Sequence, residues 1–307
     1  IIFFFFLLAY MFPIDKLIGK VYPLFAVALL FMAVGILVVL LINQPMLPEI
    51  TDGLQNTHPL ADSTPIFPML FISIACGAIS GFHATQSPLM ARCMTNEKQG
   101  RPIFYGAMIV EGLVALIWAA AANAFFAQNG MGENNAAIIV NEISTNWLGV
   151  LGGGLAILGV IFAPITSGDT ALRSARLIMA DMFAVDQKPI KNRLLICVPM
   201  FLVAAAILLY SLNDAEGFNI IWRYFAWANQ TLGVITLWAL SVWLMRTRRK
   251  WHWMTLIPAI FMTVVVTLYI LIANEDLNLS YIPSVIASIT LSLLLTLLFY
   301  YKELKRK

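Results

Sequence analysis

Nine mostly apolar stretches, at 1–12, 21–42, 66–91, 102–127, 147–172, 194–212, 218–245, 252–273 and 281–301, take up most of the 307 residues. Short polar loops part them. An apolar helix of about 20 residues, rising ~1.5 Å per residue, crosses the ~30 Å hydrocarbon layer of a bilayer. The later stretches approach or exceed that length. The first, which starts at Ile1, reaches only about 18 Å. Composition agrees: 61% of residues are hydrophobic and 11% charged, where soluble domains carry about 25% charge. A water-soluble chain cannot hide that much apolar surface. The pattern predicts an all-α polytopic membrane protein with nine membrane segments, one transmembrane domain over 1–307, its last helices in 193–307. The first stretch has no initiator methionine and no basic flank. It therefore reads as part of a chain whose N-terminal helices are missing, not as a signal peptide.

The charges carry the topology. Of the 19 Lys and Arg residues, all but Arg223 lie in or beside alternate loops and the tail. These are Lys16 and Lys20; Arg92, Lys98 and Arg101; Arg173 to Arg193; Arg246 to Lys250; and Lys302 to Lys307. The intervening loops hold acids instead, from Glu49 and Asp52 to Glu275 and Asp276. Basic loops stay in the cytoplasm. This places the C-terminus inside the cell, and it turns a net charge of +3 into a topological signal. The basic loops meet lipid headgroups and give no reason to expect nucleic acid. The cysteines, Cys76, Cys93 and Cys197, form no C-x-x-C pair and sit in or beside apolar segments. They read as small buried hydrophobes, with no disulfide framework and no metal site.

Four ionisable groups fall inside apolar segments: His83, Glu111, Asp169 and Arg223. Charge within a membrane is costly and marks function by default. Two segments also carry breakers. One reads Phe82-His83-Ala84-Thr85-Gln86-Ser87-Pro88; the other carries Pro164-Ile165-Thr166-Ser167-Gly168-Asp169-Thr170. Pro88, and the bracket Pro164–Gly168, predict two interrupted helices. A third polar stretch, Trp222 to Thr231, brings Asn229 and Gln230 about two turns deeper than Arg223. Unwound backbone in a membrane survives only where protein or water satisfies it, and carriers use such breaks to hold ions and substrates.

At these stretches the sequence resembles the carbon-starvation protein A (CstA) family of bacterial inner-membrane transporters. The carrying strings are Ser80 to Pro88, Ser167 to Arg176, Trp222 to Gln230, and Phe104 to Gly112. The resemblance implies uptake of pyruvate or small peptides, coupled to protons, in cells short of carbon. It also implies kinship with the amino acid–polyamine–organocation fold and its inverted repeats. Family members begin with several more helices, so part of the substrate site is expected to be absent here.

Each site residue has two readings. Asp169 is either a proton-loading carboxylate or a partner of Arg173 one turn on. Glu111 is a second proton carrier or a structural hydrogen-bonding group. His83 could shuttle protons or satisfy a neighbour. Arg223 could hold a substrate carboxylate, or snorkel and pair with Asp214 or Glu216. Thr85, Gln86, Ser87, Thr166, Ser167, Thr170, Asn229 and Gln230 are neutral ligand candidates. The expected partners are a small anionic or zwitterionic substrate and membrane lipid. No cofactor is expected; the coupling ion is the proton, with sodium the alternative. An intramembrane enzyme fits poorly, because H-E-x-x-H and G-x-S-x-G are missing and Asp169 is the only intramembrane aspartate. A channel or sensor would need rings of like polar groups.

Overall fold

The structure, a computed structural model, describes residues 15–47, 56, 61, 64–130, 136–213, 217–247, 250–273 and 277–305. Within helices, only the backbone is described at 15–22, 24, 25, 76, 78, 136, 137, 160–166, 169, 212, 219 and 304. The segment expected at 1–12 lies outside the described residues. All regular structure among them is helical. Among the described residues six helices are long and apolar enough to cross a membrane, and Ile66–Ala75 is a shorter apolar helix. The chain forms two compact units, one of 1–55 and 95–201, the other of 56–94 and 202–307.

The first unit holds α1 (Asp15–Asn43), a π turn (Arg101–Gly106), α5 (Ala107–Asn129), α6 (Ala136–Met182) and the start of α7 (Ile190–Asn213). Met32 and Ile36 of α1, Ala121 and Phe125 of α5, and Ile143 and Ala156 of α6 form its core. Small residues bring the helices close. A Cβ on Gly35 would stand 2.9 Å from Leu148, and one on Gly159 would stand 2.7 Å from Leu29. The expected unwinding at Pro164–Gly168 does not occur: the backbone stays helical through it. The interruption of α6 lies at Gly149 instead, at φ 70° and ψ −172°. Only glycine adopts that backbone without strain, whereas a proline removes one ladder bond and leaves the rest of the helix free to continue.

The second unit holds α2 (Ile66–Ala78), α3 (Phe82–Thr85), α4 (Ser87–Cys93), α8 (Gly217–Thr247), α9 (Trp253–Ile272) and α10 (Tyr281–Leu304). Its core joins Ile72 and Ala75 of α2, Val234 of α8, and Met262, Val265, Val266 and Tyr269 of α9. Helix α10 shows what solvent these helices are built for. It buries Ser284, Ser288 and Ser292 at successive i, i+4 positions, while Ile282 is 72% exposed and Leu297 66%. In water that helix is inside out; in lipid it is correct, because small hydroxyl residues let backbones approach and cost nothing once bonded. Ser288 Oγ donates to the Ser284 carbonyl at 2.7 Å, and Ser292 Oγ crosses to the Ile260 carbonyl of α9 at 2.9 Å.

Polar contacts tie the helices across the unit. Trp227 Nε1 donates to the Val266 carbonyl at 3.2 Å, and Trp238 Nε1 donates to Thr263 Oγ1 at 3.0 Å. At one end Arg246 makes a forked pair with Glu303, its closest contact 2.6 Å. This pair gathers the C-terminal ends of α8 and α10, both in the basic segments. Cys93 is exposed and Cys197 buried, so Cys93 departs from the expected buried thiol. The serine face yields a test. Ser288→Leu should overpack the α9–α10 seam and cost about 1–3 kcal/mol, seen as a lower unfolding midpoint in detergent. Leu297→Ile on the exposed face should leave the midpoint unchanged.

Candidate functional site

The segment 66–91 breaks as expected, but not at Pro88. Pro88 sits in the first turn of α4, where a missing N–H removes no helix bond. The break lies at Ile79–Gly81, between α2 and α3. Ile79 leaves the helix at φ −131° and ψ 76°. An unbroken helix would send the amides of residues 80 to 83 to the carbonyls of residues 76 to 79. Here each of the four finds another acceptor. Ser80 N–H donates to His83 Nδ1 at 3.2 Å, and Gly81 N–H to Asn229 Oδ1 at 2.8 Å. Phe82 N–H donates to Ser80 Oγ at 3.2 Å, and His83 N–H to the Ser80 carbonyl at 3.1 Å.

Asn229 closes this cap from α8. Its Oδ1 also accepts from Ser80 Oγ at 3.1 Å. It lies twelve residues past Gly217, or about 18 Å along the helix, so the cap sits deep within a membrane span. Two glycines allow the approach. Gly81 is in an ordinary helical conformation, so its role is space: a Cβ there would stand 2.8 Å from the Asn229 carbonyl and 2.9 Å from its Oδ1. On α8, a Cβ on Gly233 would stand 3.0 Å from the Ile79 carbonyl. The Gly77 and Ile79 carbonyls accept no backbone N–H among the described residues.

Gln230 is next to Asn229 and fully buried. Neither its Oε1 nor its Nε2 has a hydrogen-bond partner among the described residues. Helical spacing sets it between Ala226 and Trp227 on one side and Gly233 and Val234 on the other. Ala226, Trp227 and Val234 pack into the core shared by α2, α8 and α9. An unpartnered buried amide is costly, and such groups call for a reason.

The other expected residues are dispersed. Thr85, Gln86 and Ser87 are half-buried on α3 and α4, past the break. Arg223 is exposed on α8 and takes part in an interaction of its own, as do Thr85 and Thr170. Glu111 and Ser167 are exposed, and Thr170 half-buried, in the first unit. The side chains of Thr166 and Asp169 lie outside the described residues. The polar stretch Trp222–Thr231 is continuous helix. Among the described residues no group of His, Cys, Asp and Glu is placed to hold a metal. Ser80, Ile79 and Gly233 complete the cap and were not singled out from the sequence. The glycine spacing of four between Gly77 and Gly81 was the available signal.

The profile of the family described as carbon starvation protein CstA matches residues 1–148 and 130–269. The chain belongs to the CstA family. Its relatives include an uncharacterized membrane protein of Haemophilus influenzae, 46% identical over 41% of this chain and 38% of that one. A peptide transporter CstA of Escherichia coli is 25% identical over 75% of this chain and 43% of that protein. A pyruvate/proton symporter BtsT of Escherichia coli is 34% identical over 37% of this chain and 19% of that protein. The chain thus spans less than half the length of these relatives. No solved structure matches it. With its apolar helices, this CstA-family chain is a multi-pass membrane protein.

The Asn229 cap can be tested directly. Asn229→Ala leaves Gly81 N–H and Ser80 Oγ without their acceptor, a loss of about 1–3 kcal/mol for a buried polar group. Gly81→Ala should destabilise as well, since a methyl meets the backbone of α8. Both show as lowered unfolding midpoints. Asn229→Asp, which keeps the acceptor oxygen, should lose less than Asn229→Ala.

Proposed function

We propose that the chain is part of a secondary active transporter that imports pyruvate or small peptides in carbon-starved cells, with the proton as coupling ion. The observation that carries this reading is the cap at Ile79–Gly81. It is a membrane helix broken at depth, with its amides diverted to side chains and an unpartnered buried amide, Gln230, alongside. Broken helices at mid-membrane are where carriers place ions and substrates. The relatives' names, peptide transporter and pyruvate/proton symporter, support the substrate class. In this reading the protein lies in the bacterial inner membrane with nine segments in this chain and its C-terminus in the cytoplasm. Its fold is related to the amino acid–polyamine–organocation carriers. It is a carrier and not an enzyme, it uses no cofactor, and lipid is its surrounding partner.

The roles divide by chemistry. Asn229 and Gln230, with Thr85, Gln86 and Ser87, offer neutral hydrogen bonds to substrate. Arg223 pairs with a substrate carboxylate. Glu111 and Asp169 load protons, with Thr166, Ser167 and Thr170 as neutral neighbours of Asp169. Neutralising a carboxylate lowers the cost of burying it, which permits closure and inward opening.

Uptake by vesicles bearing the full-length protein tests the reading. Labelled pyruvate or a dipeptide should accumulate when the outside is acidic and stop doing so when the pH gradient is collapsed. Accumulation that ignores the pH gradient and follows sodium would sink proton coupling. Asp169→Asn and Glu111→Gln should each lower concentrative uptake at least tenfold; if both keep it, neither is a coupling group. Gln230→Met separates function from stability. Removing an unpartnered buried amide should raise the unfolding midpoint, while uptake falls.

A further inference from the structure

One ring nitrogen at the cap stands between two partners on the same residue. Nδ1 of His83 lies 3.2 Å from the Ser80 amide nitrogen and 2.9 Å from the Ser80 carbonyl oxygen. It cannot bond both. With a lone pair it accepts the amide proton; carrying a proton it can only donate, and the carbonyl is the acceptor. The Ser80 N–H is directed at the ring. In the neutral ring whose proton is on Nε2, Nδ1 accepts from this amide; a proton on Nδ1 turns instead to the carbonyl.

We propose that Nδ1 of His83 is a proton-binding site of the transport cycle, and that its occupancy decides how the broken end of α2 is bonded. The inference rests on the reading of the chain as a proton-coupled carrier. The proton comes from the aqueous phase, forms an N–H bond at Nδ1 and makes the ring an imidazolium. Nδ1–H then donates to the Ser80 carbonyl, and the Ser80 N–H loses its acceptor. The acceptor that an unbroken helix would supply to this amide is the Cys76 carbonyl. Proton binding therefore favours one more ladder bond at the end of α2, and proton release favours the break. The shift reaches α8 directly, because Ser80 Oγ and Gly81 N–H are both held by Asn229 Oδ1. A proton that prefers one arrangement of the cap over the other shifts the population between them, which is the requirement for coupling.

Histidine is suited to this task because a ring nitrogen accepts a hydrogen bond without its proton and donates one with it. The ionisable side chains on the elements packed around the ring are Cys76 on α2, Arg92 and Cys93 on α4, and Arg223 and Tyr224 on α8. Arg246, at the far end of α8, is bonded to Glu303. The arrangement thus brings no carboxylate from these elements to the ring.

The test uses the full-length protein in proteoliposomes, with labelled pyruvate and a labelled dipeptide as probes. Two rates are measured: accumulation driven by an acidic exterior, and counterflow exchange with equal pH on both sides. His83→Asn keeps an acceptor oxygen near the Nδ1 position and cannot titrate. Its accumulation should fall at least tenfold, and its counterflow should no longer vary with pH. His83→Gln, which places its amide near the Nε2 position, should retain less counterflow than His83→Asn. The proposal is overturned if His83→Asn accumulates substrate as wild type does. It is also overturned if His83→Asn loses counterflow while its unfolding midpoint matches wild type, since His83 would then serve substrate binding. If His83→Asn does not fold, His83→Gln takes its place under the accumulation criterion alone. Failure of the wild-type protein to take up either probe would strike the transporter reading instead.

Discussion

A backbone amide released inside a membrane has no water to turn to, and the second unit is organised around that constraint. At Ile79–Gly81 the helix ladder stops, yet every amide from Ser80 to His83 is bonded. The replacements are a ring nitrogen, a hydroxyl, a carbonyl and the carboxamide of Asn229. One oxygen of Asn229 receives two of the cap's donors, a side-chain hydroxyl and a main-chain N–H. Unpaired, each group would cost more than a typical hydrogen bond contributes, because its desolvation is not offset. The break stands because α8 supplies its partner from the side, and α8 comes near enough because Gly81 and Gly233 have no side chains.

The same solvent explains the packing. Helices in lipid gain nothing by hiding leucine from lipid, so they associate through shape and polar contact. Helix α10 buries three serines and exposes isoleucine and leucine. Tryptophan N–H groups on α8 reach acceptors on α9. Against this background of satisfied groups Gln230 stands out, since both its amide atoms are buried without partners among the described residues. Methionine would fill the same space without the desolvation cost of the amide.

The helical class was legible because length and hydropathy speak directly to membrane thickness. The polar residues of the cap, His83 and Asn229, were legible because charged and amide side chains are rare in such segments. The position of the break was not. Pro88 and the pair Pro164–Gly168 are the strongest breakers by type, yet Pro88 lies harmlessly in a first turn and the helix runs on through Pro164. The observed interruptions sit at Ile79–Gly81 and at Gly149. Proline removes one donor and can sit where that donor has no partner in any case. A helix ends where a competing set of bonds is available; here three of the four acceptors are on Ser80 and His83, and the fourth, Asn229, is far away in sequence.

The sequence by itself determined that this chain lives in a bilayer, which loops carry its positive charge, and which family it belongs to. Those properties are sums over local composition or direct matches of residues, and no contact is needed to read them. The tertiary structure alone decided that Asn229 would cap a helix end 148 residues away. It likewise decided that Gln230 would be buried without a partner among the described residues. Each of these depends on how closely α2 and α8 approach. That distance is set by the packing of whole faces, with Gly81 and Gly233 between them, and no stretch of sequence contains it.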